Sequence, residues 1–144
     1  MTPLRLTPHL LATAAEQLVG VPFRLHGRDP GTGLDCIGLF AAAMALAGRP
    51  VEVPTGYTLR LRNLAQWLPD PASCGFAITG APPEQGDVVL LRPGAGQVHL
   101  AIAASADGWI HAHAGLRRVV RDAALPDGAI ITSWRLLLAN SKDT

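Results

Sequence analysis

The chain has 144 residues, 49% of them hydrophobic and 16% charged, with a net charge of +1. That length suits a single domain spanning 1–144 with a core of its own, and the composition excludes a disordered chain. The near-zero charge excludes a global electrostatic pull toward nucleic acid, and with no run of 18 apolar residues no membrane-spanning helix is expected.

The N-terminal stretch Met1 to Leu11 is interrupted by Pro3, Arg5, Pro8 and His9, so it does not read as a signal peptide. The expectation is a protein made in the cytoplasm which, if it acts outside, is carried there by something else. A first helix begins at Pro8, capped by Thr7 and closed by Gly20, with Leu11, Ala14, Ala15 and Leu18 on one face. A turn-rich loop from Pro22 to Gly33 follows. A second helix runs from about Cys36 to Ala47, capped by Asp35 and stopped by Gly48 and Pro50. It is apolar almost all round and is therefore expected to be central and buried.

The middle third reads as irregular, with a short helix around Leu59 to Leu68. After Gly86 the pattern changes to strands: Asp87 to Leu91, Val98 to Ala103, Trp109 to Ala114, Arg117 to Val120 and Ile130 to Leu138. Helices followed by antiparallel strands predict an α+β fold. Arg117, Arg118 and Arg121, broken by Val119, Val120 and Asp122, read as a solvated strand face at least as well as a polyanion site.

Two cysteines could form one disulfide, but Cys36 sits where a nucleophile would and is expected to be a free thiol. At the start of a buried helix, unpaired N–H groups and the positive dipole end favour a thiolate. A buried structural cysteine is the bland alternative, and no role is read for Cys74. His99 lies inside an apolar strand, where an imidazole needs a partner, and a thiol nucleophile needs a base. His111 and His113 follow in the next strand. A five-residue loop, Ala104 to Gly108, would put His113 opposite His99 and His111 on the diagonal, so either could orient the base. The four side chains Cys36, His99, His111 and His113 are also zinc-ligand types, but no close pair such as CxxC or HExxH is present, so neither a metal nor another cofactor is expected.

Three motifs, in order, carry a family resemblance. Val21-Pro22-Phe23-Arg24, then Gly27, Pro30 and Gly33, then Leu34-Asp35-Cys36-Ile37-Gly38-Leu39, resembles the nucleophile region of NlpC-type cell-wall cysteine peptidases. Gly86-Asp87-Val88-Val89-Leu90 is similar to the strand entering that family's histidine hairpin. His99-Leu100-Ala101-Ile102 with Ile110-His111-Ala112 resembles its base and third polar residue. The resemblance implies a papain-like fold in which the nucleophile helix packs on an antiparallel sheet. It implies hydrolysis of amide bonds in peptidoglycan stem peptides, commonly at a γ-D-glutamyl–diaminopimelate bond, by Cys36, His99 and His111. Phe23, Asp35 and His113 are the candidate substrate-contacting residues, Asp35 acting foremost as a cap.

Ile37-Gly38-Leu39 after Asp35-Cys36, and the later Trp134-Arg135, are similar to the subgroup in phage tails and gene transfer agents. That implies particle proteins as partners and action on the periplasmic cell wall. Two departures stand out: Phe23 where many members carry Tyr, and Ile37 where Ser is common. An amidase or acyl transferase, or a tail component with little activity, are the rival readings.

Overall fold

The computed structural model describes residues 6–53, 70–92, 99–104, 108–126 and 128–137. The expected helix around Leu59 to Leu68 lies outside them. Helix α1 (Pro8–Gln17) starts where Thr7 Oγ1 accepts the Leu10 N–H at 3.1 Å, with proline in its first turn. Its apolar face, Leu11, Ala14 and Ala15, is buried against helix α2 (Cys36–Leu46). Helix α2 has almost no polar face, and Cys36 through Phe40 are all buried. The chain leaves α2 through Gly48 at φ +101°, a left-handed turn in which the Arg49 N–H returns to the Met44 carbonyl at 2.9 Å.

Between the helices, the loop holds a short antiparallel pair, β1 (Arg28–Asp29) and β2 (Gly33–Leu34). The loop lies so close to α2 that a Cβ on Gly38 would fall far inside van der Waals contact distance of the Gly27 carbonyl oxygen. Neither side of that contact is a movable side chain. Gly38→Ala is therefore expected to destabilise the protein by about 2–3 kcal/mol, the scale of overpacking against a rigid neighbour. Chemical denaturation reads it, and an unchanged midpoint would show that the loop yields freely.

The six-stranded sheet has the order β3-β8-β4-β5-β6-β7 and is antiparallel throughout: β3 (Phe76–Thr79), β4 (Val88–Arg92), β5 (His99–Ala103), β6 (Trp109–His113), β7 (Arg118–Asp122) and β8 (Ala129–Leu136). One face, with Val88, Leu90, Leu100, Ile102, Ile110, Ala112 and Val119, joins the helices in the main core. Phe40 of α2 meets Phe76 and Trp134 there with centroids 5.9 and 6.0 Å away. On the other face Val89, Leu91 and Ala101 form a smaller cluster, with Trp109 and Leu125 against it.

The α+β expectation describes this architecture, and the boundaries differ in places. Strand β3 falls in the stretch read as irregular. Its four residues follow a 3₁₀ turn (Pro71–Cys74) and pair only with β8, too short a run to show a period. Strand β7 extends two residues beyond Val120, because Arg121 and Asp122 pair with Ile110 and Trp109. Asp87 precedes β4 and is 1% exposed. Its carboxylate takes Arg135 Nη2 at 2.8 Å and Nε at 3.1 Å, and accepts the Glu84 N–H at 2.8 Å. Arg135 thereby ties the end of β8 to the turn that starts β4.

Candidate active site

Asp35 fixes the start of α2. Its backbone is extended, and its Oδ1 accepts the Gly38 N–H at 2.8 Å in the N-cap geometry. The same carboxylate accepts the His26 N–H at 2.8 Å and pairs with Arg28 Nη1 at 3.1 Å. His26 itself sits at φ +62°, bending the loop over the helix end. Asp35 is 0% exposed, so it organises the loop from beneath and offers no surface to a substrate. That burial goes with the number of donors its carboxylate satisfies, the Gly38 and His26 N–H groups and Arg28.

Cys36, the first residue of α2, is a free thiol, and so is the buried Cys74. The thiol lies against β5, where the Leu100 N–H reaches it. The sheet explains why that donor is available. The Ala103 N–H points to Asp87 on the β4 side, so alternation turns the Leu100 N–H toward β6. Strands β5 and β6 pair only at Ile102↔Ile110 and Ala103↔Trp109, so beyond Ile102 the β6 side of β5 is open, and the helix start fills it.

His99 begins β5 at this opening. Its Nε2 is 2.8 Å from His111 Nδ1, with the two rings edge to face. His111 is 4% exposed, and its Nε2 is 2.6 Å from Asp122 Oδ2 on β7. The structure therefore brings His99 and His111 into direct contact by the diagonal and adds a fourth group, Asp122, to the chain. Sequence reasoning missed Asp122, which stood only as an interruption of the arginine cluster. The signal available was its position two residues past Val120, the residue paired with His111. His113 faces elsewhere: its Nδ1 accepts the Leu116 N–H at 3.0 Å, although its ring lies 5.6 Å from that of His111. Phe23 is half-buried against the main core, its N–H held by the Arg117 carbonyl at 2.8 Å. Among the described residues no three His, Cys, Asp or Glu side chains converge to hold a metal ion.

Burial dominates the electrostatics. It pushes the Cys36 thiol up to about 12, with the Asp35 charge adding to the rise; the Leu100, Ile37 and Cys36 N–H groups oppose it and lose. Burial, then His111 and His113, push His99 down to about 4. The thiolate expected from the helix start alone is therefore not the resting form. At neutral pH the pair rests as thiol and neutral imidazole. For His99 the folded value lies below the ordinary 6.5, so its contribution to stability is whole above pH 6.5 and is lost as pH falls toward 4. The loss amounts to at most about 3 kcal/mol across that window. His99→Gln is expected to lose about 2 kcal/mol less than the wild type between pH 7 and 4.5 in urea denaturation. Equal losses would show that His99 is not held neutral.

The sequence model of the NlpC/P60 family matches residues 20–127, a span holding Cys36, His99, His111 and Asp122. The chain belongs to the NlpC/P60 family. Solved structures share the fold of this NlpC/P60 domain. NlpC1 from Trichomonas vaginalis superposes with a TM-score of 0.64 at 18% identity, over 90% of this chain and 44% of that one. The NlpC/p60 domain of peptidoglycan hydrolase SagA gives 0.55 at 24%, over 81% and 89%. The P60 domain of antigen MAP1204 from M. avium subspecies paratuberculosis gives 0.60 at 16%, over 91% and 94%. The chain thus spans less than half of the Trichomonas protein and most of the two isolated domains. No curated protein matches the sequence.

Proposed function

We propose that this NlpC/P60 domain is a cysteine endopeptidase that hydrolyses amide bonds in peptidoglycan stem peptides. The observation that carries the reading is the thiol of Cys36, placed at a helix start against the strand that begins with His99, whose ring is in turn held by His111. The family supplies the substrate class, and the SagA domain, whose fold it shares, is named as part of a peptidoglycan hydrolase. The preferred bond is γ-D-glutamyl–diaminopimelate.

In this mechanism His99 accepts the thiol proton of Cys36 as sulfur attacks the amide carbonyl, so the thiolate forms in step with the attack. That order fits a resting pair that is neutral on both sides. The N–H of Cys36, at the positive dipole end of α2, donates to the oxyanion. The imidazolium of His99 then protonates the leaving amine, and the C–N bond breaks to leave a thioester. Water, deprotonated by His99, cleaves the thioester and returns the thiol. Every proton is handled by these side chains, and no cofactor enters. Phe23 has no hydroxyl, so the oxyanion depends on backbone donors.

The run Asp35-Cys36-Ile37-Gly38-Leu39, and Trp134-Arg135 with Arg135 holding Asp87, support placement in the phage-tail and gene-transfer-agent subgroup. In that setting the domain docks with particle proteins, is carried by the particle and meets the cell wall from the periplasmic side. An amidase or acyl transferase would use the same thiol and base, and an added amine acceptor tells them apart by trapping the acyl group. The test of the main reading is digestion of purified peptidoglycan with mass spectrometry of released fragments. Stem-peptide fragments ending at D-glutamate are expected. Intact stem peptides throughout would favour a tail component without activity, for which Phe23 is the best argument.

A further inference from the structure

The geometry points to Asp122 as the positioning residue that sets the tautomer of both histidines and so makes His99 a base toward Cys36. The inference rests on the proposed peptidase reading and extends it by one residue. It starts from the number of protons a neutral imidazole carries: one N–H and one lone pair. His111 is buried and has both ring nitrogens engaged, Nδ1 with His99 at 2.8 Å and Nε2 with Asp122 at 2.6 Å. A carboxylate only accepts. The Asp122 contact therefore places the His111 proton on Nε2 and leaves its Nδ1 with the lone pair.

That lone pair faces His99 Nε2, which must then carry the His99 proton. The remaining nitrogen, His99 Nδ1, is left with a free lone pair. A general base needs that state, and the opposite tautomer would present an N–H to the thiol. The same chain acts after proton transfer. Once His99 is an imidazolium, its Nε2–H still donates to His111, and the Asp122 charge lies at the far end of the relay.

His113 cannot replace Asp122 in this role. Its Nδ1 is occupied by the Leu116 N–H, and it touches the relay only by ring contact. Nor is Asp122 tied to the neighbouring arginine: Arg121 pairs with Glu16 at 2.6 Å, on the other face of the strand. Asp122 is half exposed, and among the described contacts its carboxylate is directed at His111.

The test reads ring nitrogens directly. ¹⁵N-labelled protein, observed through two-bond ring correlations by NMR at neutral pH, is expected to show both His99 and His111 protonated at Nε2. In Asp122→Ala the proton on His111 should redistribute and His99 should lose its single tautomer. Asp122→Asn, which keeps the shape, should show the same shift more weakly and guards against a folding defect in the alanine variant. With stem peptide as substrate, kcat should fall about 10–100-fold in Asp122→Ala with KM little changed. His99 protonated at Nδ1 in the wild type would overturn the inference, as would unchanged tautomers in both variants. The spectra need no turnover. If the wild type cleaves nothing, the peptidase reading fails while the tautomer assignment is still decided.

Discussion

Cys36→Ala is expected to abolish release of peptide fragments from peptidoglycan, a loss of at least about 10⁴-fold, while the protein stays folded. The size follows from the mechanism: without sulfur there is no acyl-enzyme, and His99 has no proton to take. The folding half follows from packing. Cys36 is 2% exposed in the main core, and losing one sulfur leaves a gap about the size of a methyl group. Such a gap costs about 1 kcal/mol. The Leu100 N–H loses an acceptor as well, which adds a cost of about 1 kcal/mol or more for a buried donor left unpaired. Fragment yield by mass spectrometry, with a thermal melt on the same samples, checks both halves. Cleavage that survives in a folded Cys36→Ala protein would remove the thiol from the mechanism.

The features legible in the sequence were those with a local cause. Thr7, Asp35, Gly20 and Gly48 mark helix ends through side-chain caps and backbone freedom, and the helices begin and end beside them. The hairpin loop from Ala104 to Gly108 was legible because a strand pair of known parity must turn there, and the Ala104 N–H does close onto the Gly108 carbonyl at 2.8 Å. Continued past Ile102↔Ile110, that register sets His113 opposite His99 and His111 diagonal to it, as the sequence reading had it.

What the sequence could not convey was where the pairing stops. The ladder between β5 and β6 ends after two residue pairs, and from there contact is governed by the direction of the parted strands rather than by register. The diagonal histidine then meets His99, and the opposite one turns to its own loop at Leu116. Asp122 was hidden for a related reason. Arg-Asp after Val119-Val120 looks like a turn leaving a strand, and only the partner strand shows that pairing continues to Trp109. Charge state was hidden too, since a helix start and a buried site pull a thiol in opposite directions and only the extent of burial decides between them.

That opposition makes Asp35 the second position of large effect, because its two influences on Cys36 have different signs. Structurally it is indispensable: one carboxylate, fully buried, holds the Gly38 N–H, the His26 N–H and Arg28, and thereby joins the loop to the first turn of α2. Asp35→Ala leaves these donors without that acceptor and is expected to destabilise the protein by about 3–5 kcal/mol, with activity lost as the first turn frays. Electrostatically the same charge works against the thiolate, since it helps push the thiol upward. Asp35→Asn separates the two influences. Its amide oxygen can still cap Gly38, but the charge is gone, so the expected loss is smaller, about 1–2 kcal/mol. The Cys36 thiol should then ionise at lower pH than in the wild type. Iodoacetamide labelling of the Cys36 peptide against pH, followed by mass spectrometry, measures that ionisation without any substrate, and denaturation measures the stability. A thiol that titrates at higher pH in Asp35→Asn would show that the cap stabilises the thiolate, and the balance drawn between burial, charge and helix start would have to be reversed.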